Sequence, residues 1–211
     1  MGSWEWARRV LLSLPVNYIK ITGLTFILFM IPISKVQAAE KTASDTYAVD
    51  AAHSSAKFSI RNFGITKVKG SFSDIAGEIV ADKAIPSESS VEISIGTASI
   101  NTGIKKRDAD LRSSNFFDVE KYPTMSFKST NVKETGDGRF DVIGDFTLHG
   151  VTKTITVTVF LTKEEDVPAG GHHIAFKSDF GISRSDFNIT HDSGMIGDNA
   201  SISLVIEAAR K

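Results

Sequence analysis

The sequence predicts an all-β protein whose single antiparallel domain follows a removable N-terminal segment. From Thr46 onward, apolar and polar residues alternate with a period of two, which places successive side chains on opposite faces of an extended strand. Helical periodicity is nearly absent, and short glycine-containing turns separate the alternating runs. Residues 39–211 form a chain of about 170 residues, enough to bury one sizeable core, so no second domain is expected.

Residues 1–38 have the order of a secretory signal: basic residues, an apolar run at 21–33, and small residues before a cleavage site. Val36 and Ala38 occupy the two small positions, so we expect cleavage after Ala38. The stretch 10–33 is also apolar enough to cross a membrane, which leaves an uncleaved anchor as the alternative. Both interpretations predict export.

Charge and cysteine content exclude several classes of function. Of the 24 basic and 25 acidic residues, four basic and one acidic precede residue 39, so the domain carries 20 basic and 24 acidic residues and a charge of about −4. This charge repels polyanions, and we therefore expect no nucleic-acid partner. The chain has no cysteine, which excludes disulfides, thiolate catalysis and cysteine-ligated zinc.

Each alternating run predicts one strand with one buried face. The early runs are short and most of the later ones are longer. Their apolar faces are Ala56, Phe58 and Ile60; Val91, Ile93 and Ile95; Met125 and Phe127; Phe140, Val142, Gly144, Phe146 and Leu148; Ile155, Val157, Val159 and Leu161; Ile174, Phe176, Phe180 and Ile182; and Ile202, Leu204 and Ile206.

The segments between the runs predict how the strands connect. Gly136-Asp137-Gly138 and His149-Gly150 are typical of tight hairpins, so adjacent strands should pair antiparallel. The connection 101–123 is too long and too charged for a hairpin; it is compatible with one short helix and is a candidate to cover an opening. The acidic stretch 163–171 predicts a solvated loop.

Alternation does not distinguish a β-sandwich from a closed β-barrel, so both architectures of about eight strands stay open on pattern alone. Two features favour a barrel with a cavity. All of the 14 phenylalanines except Phe26 and Phe29 lie in the expected domain, many of them on inward faces. Gly70, Gly77 and Gly144 lie within strands, where glycine permits the sharp bends that closure requires.

The sequence offers no catalytic constellation. It has no Gly-x-Ser-x-Gly elbow, phosphate loop or dinucleotide fingerprint, so we expect no enzyme and no catalytic residue. The adjacent His172 and His173 point to opposite faces of a strand and cannot easily share a metal ion. A site at His191 and Asp192 with one further histidine stays open, but solvated histidines and no metal are the expectation.

Arg184 and Asp186 are separated by one residue, so on an extended segment they would share a face. Two interpretations stay open. The pair binds the polar head of a ligand, or it is a structural ion pair that closes the barrel end.

Five ordered blocks of the sequence, spread over nearly all of residues 39–211, together resemble the YceI-like family of exported bacterial proteins. The blocks are Tyr47-Ala48-Val49-Asp50-Ala51-Ala52-His53-Ser54; Phe58-Ser59-Ile60 with Asn62-Phe63-Gly64; Phe116-Phe117-Asp118-Val119-Glu120-Lys121-Tyr122-Pro123-Thr124-Met125-Ser126-Phe127; Gly144-Asp145-Phe146-Thr147-Leu148-His149-Gly150-Val151-Thr152-Lys153; and Ser183-Arg184-Ser185-Asp186-Phe187.

This resemblance implies an extended, lipocalin-like barrel of eight antiparallel strands that holds an isoprenoid chain, such as a polyprenyl or ubiquinone-like lipid, in the periplasm. A retained N-terminal anchor would instead tether it to the inner membrane, facing the periplasm. The sequence departs from many relatives at Asn62-Phe63-Gly64, where they place His before Phe-Gly. A stress-related role, transient membrane contact and a homodimer also stay open.

An isoprenoid tail needs a dry apolar slot with few polar groups, and inward aromatic and aliphatic side chains would supply it. The predicted ligand-binding residues are Phe58, Ile60, Phe72, Phe117, Met125, Phe127, Phe146, Phe176, Phe180, Arg184, Asp186 and Phe187. The alternative is ordinary core packing in a structural or stress-protective domain whose barrel is filled by its own side chains. The third hypothesis for the function is an enzyme that acts on a bound quinone. No cofactor other than bound lipid is expected.

Overall fold

The computed structural model describes residues 44–168 and 171–211, and the predicted signal, residues 1–38 with its cleavage site, lies outside the described residues. The described part contains ten β-strands and one α-helix. These are β1 (Asp45–Val49), β2 (Ser55–Asn62), β3 (Thr66–Phe72), β4 (Ile75–Ala81), β5 (Ser90–Gly96), α1 (Lys105–Arg112), β6 (Thr124–Gly136), β7 (Arg139–Leu148), β8 (Val151–Asp166), β9 (His172–Ser183) and β10 (Ile196–Arg210). No helix within these residues combines the length and apolar character needed to span a membrane.

The ten strands form an eight-position, closed antiparallel barrel. β10 pairs with β9 along one edge and with both β1 and β2 along the other. The two short strands lie end to end beside β10, so β1 and β2 together occupy one position of the barrel. β3 and β4 pair with β2 and β1 in the same way and share the next position. The ring then runs from β4 through β5, β6, β7, β8 and β9 back to β10. The predicted barrel is therefore confirmed, and the sandwich alternative is wrong.

Glycines within the strands make room for close contacts inside the wall. A Cβ on Gly70 would lie 2.5 Å from the ring of Phe58, its partner on β2. A Cβ on Gly144 would lie 2.5 Å from the carbonyl oxygen of Lys128 and 2.6 Å from Phe127 Cζ. Each glycine thus lets a neighbouring backbone or aromatic ring occupy the space of a side chain.

Both predicted hairpins are confirmed. Gly136–Gly138 joins β6 to β7, and His149-Gly150 joins β7 to β8 with φ of +51° and +73°, the pair of positive angles that a type I′ turn requires. The prediction of a loop over residues 163–171 is wrong for its first half. Residues 163–166 continue β8 and pair with β9, with Glu165 opposite His173. All four residues are classed as exposed, so no alternation of burial marks them as a strand.

The connection from β5 to β6 contains the predicted short helix, α1. Arg112 fixes it by donating from Nε to the carbonyl of Ala98 (2.7 Å) and from Nη2 to that of Ile100 (2.6 Å). Asp108, which is buried, accepts hydrogen bonds from Thr102, and these lower the pKa of its carboxyl group. The connection lies beside β3, because Asn101 forms a bridge with Ser71.

Candidate functional site: an apolar cavity inside the barrel

A cavity of about 560 Å³ occupies the inside of the barrel. All ten strands except β1 and β3 contribute several side chains to its lining, and those two contribute Tyr47, Val68 and Phe72. The volume lies within the range of ~300–1,000 Å³ that is typical of small-molecule sites. The lining is made mainly of alternate strand residues, because period-two alternation directs every second side chain inward.

The cavity reaches both ends of the barrel, which we name by their chain segments. The hairpin end, named after the β2–β3 hairpin, holds the β2–β3 turn, α1 and the segment between β9 and β10. Asn62, Arg107 and Asp192 line the cavity there. The terminal end holds the β8–β9 hairpin and the C-terminus of β10; Lys83 and Glu164 line it there.

Ten of the twelve predicted ligand-binding residues line this cavity. A ligand inside the barrel would therefore lie within their reach, and their binding role stays a prediction. They are Phe58, Ile60, Phe72, Phe117, Met125, Phe127, Phe146, Phe176, Phe180 and Arg184. Asp186 and Phe187 are not part of the lining.

Aromatic pairs extend across the lining at the hairpin end. The ring of Phe72 lies 5.8 Å from that of Phe58 and 5.6 Å from that of Phe117, the second in an edge-to-face arrangement. Toward the terminal end, Phe140 at the start of β7 forms a further edge-to-face pair with Phe176 at 6.4 Å. These distances are those of favourable aromatic contacts, so the rings pack on one another while their remaining faces point to the cavity.

The interior offers no buried polar group that lacks a partner. Within the described residues, every buried side-chain nitrogen and oxygen has a hydrogen-bond partner. Ser178, for example, is buried and lines the cavity, but its hydroxyl donates to the carbonyl of Thr158 at 2.7 Å. The lining is therefore mainly hydrocarbon, and charged residues such as Arg107, Asp192, Lys83 and Glu164 lie at its two ends.

Arg184 is buried, and it forms neither the ion pair with Asp186 nor the extended geometry predicted from the sequence. The segment Arg184–Phe187 is a short 3-10 helix. The guanidinium donates to three carbonyls, from Nη1 to His191 (2.7 Å), from Nη2 to Ile196 (3.1 Å) and from Nε to Gly197 (3.2 Å). Burial lowers the pKa of Arg184, and the carboxylates of Asp198 and Asp192 oppose that shift.

The other two predicted ligand-binding residues of this helix, Asp186 and Phe187, belong to the wall of the barrel. Asp186 accepts a hydrogen bond from Lys153 Nζ at 2.7 Å on the outer surface. Phe187 is 2% exposed, and its ring packs edge-on against Phe146 at 5.3 Å. Phe187 thus supports a lining residue from behind.

The histidines are held by neighbours of several kinds. His172 shares hydrogen bonds with Asp166 and Glu164, both at 2.9 Å, and these raise the pKa of its imidazole. Glu164 also accepts from Lys83, and the lysine, more than the histidine, lowers the pKa of Glu164. His149 donates to the carbonyl of Phe187 at 3.1 Å. His172 and His173 point to opposite sides of the strand, as predicted: His172 contacts Asp166 and Glu164, whereas His173 contacts Glu207.

The metal site left open at His191 does not assemble in the described part of the chain. His191 Nε2 lies 3.6 Å from Asp192, and no third ligand group joins them there. The ligand atoms that do cluster within 4.8 Å belong to Asp50, His53 and Glu207. Two of these are already hydrogen-bonded to each other, His53 Nδ1 to Asp50 at 2.8 Å, which lowers the pKa of Asp50 and raises that of His53.

Sequence reasoning missed most of the lining that comes from outside the strands, of which it named only Phe117 and Arg184. Arg107, Asp110 and Leu111 of α1, with Phe116 after it, line the cavity. Their connection was predicted to cover an opening, but no periodicity in so short a helix marks an inward face.

These features define a closed antiparallel β-barrel of eight positions with an apolar interior that reaches both ends. The YceI-like domain matches residues 47–208, and the chain belongs to the YceI-like domain family. The resemblance predicted from five sequence blocks is confirmed.

Curated relatives agree with this assignment. A UPF0312 protein of Ectopseudomonas mendocina is 36% identical over 167 residues, which cover 78% of this chain and 87% of that protein. A UPF0312 protein of Yersinia pestis is 37% identical over 158 residues, 75% of this chain and 82% of that protein.

Solved structures share the fold. The YCEI protein of Campylobacter jejuni superposes with a TM-score of 0.64 at 28% identity, covering 70% of this chain and 87% of that one. A polyisoprenoid binding domain from Saccharophagus degradans, implicated in plant cell wall breakdown, superposes with a TM-score of 0.62 and covers 78% of this chain and 98% of that one. Its 17% identity shows a common fold alone.

Proposed function

We propose that this protein is a non-catalytic periplasmic binding protein that holds an isoprenoid or other amphiphilic lipid inside its barrel, as a carrier or a reservoir. The observation that carries the proposal is the apolar cavity of about 560 Å³ that reaches both barrel ends. A fold relative described as a polyisoprenoid binding domain is consistent with it.

The distribution of polar groups favours an amphiphile over a polar metabolite. A polar guest in the interior would lose its hydration and regain few hydrogen bonds, because the lining is mainly apolar and buried side-chain polar atoms of the described residues already have partners. A hydrocarbon tail loses nothing there, and each isoprene unit would contribute about 2 to 3 kcal/mol at ~25 cal/mol per Å² of buried apolar surface. The polar head of such a lipid would lie at a barrel end, among residues such as Arg107 or Lys83.

The competing function, a structural domain with a self-filled barrel, is less consistent with this interior. Close-packed cores have few voids larger than a water molecule. A continuous cavity lined by several phenylalanines is therefore unusual for a barrel that only has to be stable.

The decisive experiment extracts lipid from protein purified without detergent and weighs the intact complex by native mass spectrometry. Ala200 and Ser201 provide matched variants, because they are neighbours on β10 and only Ala200 lines the cavity. Ala200→Phe fills part of the barrel, whereas Ser201→Phe places the same ring on the exposed outer face.

We expect a co-purifying amphiphile in the wild type and in Ser201→Phe, and its loss or replacement by a shorter chain in folded Ala200→Phe. Wild-type protein that is free of lipid and does not take up a polyprenyl alcohol would overturn the proposal. Equal lipid content in both variants would place the lipid outside the barrel.

A further inference from the structure

The turn between β2 and β3 exposes large apolar side chains at the hairpin end of the barrel. Phe63 and Ile65, in the three-residue turn, are 62% and 88% exposed. Met195, 44% exposed, lies beside them, since its carbonyl accepts a hydrogen bond from the Phe63 amide at 2.6 Å. We call these three residues the hairpin-tip patch.

The backbone at this turn is itself unusual. Phe63 has φ of +51° and Gly64 has φ of +69°. Glycine adopts this conformation readily, but a bulky aromatic residue rarely does, and small polar residues normally occupy such turns. Phe63 is 62% exposed and so buries little surface in return for this conformation, and an apolar surface outside the chain would supply the missing contact.

Basic residues flank the hairpin-tip patch on the β2–β3 side, although the domain as a whole is acidic. On the other side the Met195 amide donates to the carbonyl of Asp192 at 2.9 Å, so one acidic residue borders the patch. Arg61 and Lys67 face each other across the hairpin next to the turn, and Lys69 follows, opposite Ser59. All three are exposed, and within the described residues none makes an ion pair. Residues 55–73 contain no aspartate or glutamate. Exposed apolar side chains at the tip of a hairpin that carries only basic charges are complementary to a lipid surface with anionic headgroups.

The patch is continuous with the cavity. Ile60, Asn62 and Val68, on the same two strands, line the interior within a few residues of the turn. A lipid surface in contact with the tip would therefore lie at the cavity end that this hairpin borders.

We propose that the β2–β3 hairpin docks the protein on anionic lipid bilayers, with Phe63 and Ile65 inserted at the interface and Arg61, Lys67 and Lys69 against the headgroups. The inference goes beyond the proposed lipid cargo, because docking requires only the hairpin. If the cargo is also correct, docking brings the hairpin end of the cavity to the membrane from which lipid is taken or to which it is given.

The test uses single-cysteine labelling, which is direct because the chain has no cysteine of its own. An environment-sensitive fluorophore is attached to Ile65→Cys at the tip or to Ile85→Cys, a 51% exposed position after β4 at the terminal end. Each labelled protein is mixed with phosphatidylcholine vesicles that contain or lack phosphatidylglycerol. Residues 1–38, where retained, are identical in both proteins and cannot produce a difference between the labels.

We expect a blue shift and an increase of emission at position 65, only with phosphatidylglycerol and reversed by high salt, and no change at position 85. Lys67→Gln should weaken vesicle binding roughly five-fold, the equivalent of about 1 kcal/mol for each charge near the surface. Lys133→Gln, an exposed lysine near the terminal end of β6, is the matched control and should have no effect.

An unchanged label at position 65, equal responses at both positions, or equal binding to neutral vesicles would overturn the proposal. The lipid content of the same preparations is measured separately. Docking by protein that holds no lipid and takes up no polyprenyl alcohol would refute the proposed cargo and leave the docking surface intact. Lipid-filled protein with an unresponsive tip would refute the docking surface and leave the cargo intact.

Discussion

Arg184→Met tests whether this arginine belongs to the wall of the barrel or to its ligand. The guanidinium donates three hydrogen bonds to backbone carbonyls of the segment that leads into β10. At about 1 kcal/mol net for each bond, methionine should lower the free energy of unfolding by about 3 kcal/mol. For a domain of this size the loss corresponds to a melting temperature lower by about 6 to 12 °C.

The assay is urea denaturation followed by circular dichroism, with lipid extraction from the same folded sample. Asp186→Asn is the control from the same 3-10 helix. It removes only an exposed contact with Lys153, so it should change the free energy of unfolding by less than about 1 kcal/mol. The folded fraction of Arg184→Met should retain its lipid, because the cavity wall elsewhere is unaltered.

Two results would refute this reasoning. A loss of stability below about 1 kcal/mol would mean that water or neighbouring groups satisfy the three carbonyls without the arginine. Normal stability with lost lipid would mean that Arg184, which also lines the cavity, binds the ligand head as the alternative sequence interpretation held.

Three further predictions concern the wall, the terminal end and the N-terminal segment. Gly144→Ala should cost about 1 to 3 kcal/mol in urea denaturation, because its Cβ would lie 2.5 Å from the Lys128 carbonyl; a loss below about 0.5 kcal/mol contradicts this. The raised pKa of His172 means that its stabilisation is complete below its ordinary pKa of 6.5 and is lost as pH rises through the folded value. His172→Gln should therefore lower the melting temperature at about pH 6 and not at about pH 9, and an equal loss at both argues against the linkage. Exported protein should show no tryptophan emission, since Trp4 and Trp6 precede the cut after Ala38; such emission would rule out cleavage.

Alternation predicted the strands and their inward faces because side-chain direction in a strand depends only on position. Phe127, Phe146 and Phe176 were placed on the lining in this way, and the structure puts all three there. Closure could not be predicted from pattern, since it depends on Tyr47 pairing with Arg210 across the whole domain. The phenylalanines and the strand glycines favoured a barrel, but only the resemblance of several blocks to a known family selected it.

Arg184 marks the limit of local reasoning. The sequence offered Asp186 as its partner because the two lie close in the chain, but a 3-10 helix turns them apart. The carbonyls that bind Arg184 belong to His191, Ile196 and Gly197. The chain reverses between β9 and β10 to bring them there, with left-handed residues at Asn188 and Asp192. Backbone acceptors carry no sequence signal, so such a site is invisible before the structure is known.

The hairpin end differs from the rest of the wall in how it is built. β3 pairs with β2 on one edge, but within the described residues its other edge has only the bridge between Ser71 and Asn101. Side chains of the α1 connection, such as Leu111 and Phe117, complete the lining there instead of a strand. Displacing side chains breaks no ladder of backbone hydrogen bonds, whereas parting two strands elsewhere in the ring breaks several. The least costly path into the cavity therefore lies beside β3, on the same hairpin that carries Phe63 and Ile65.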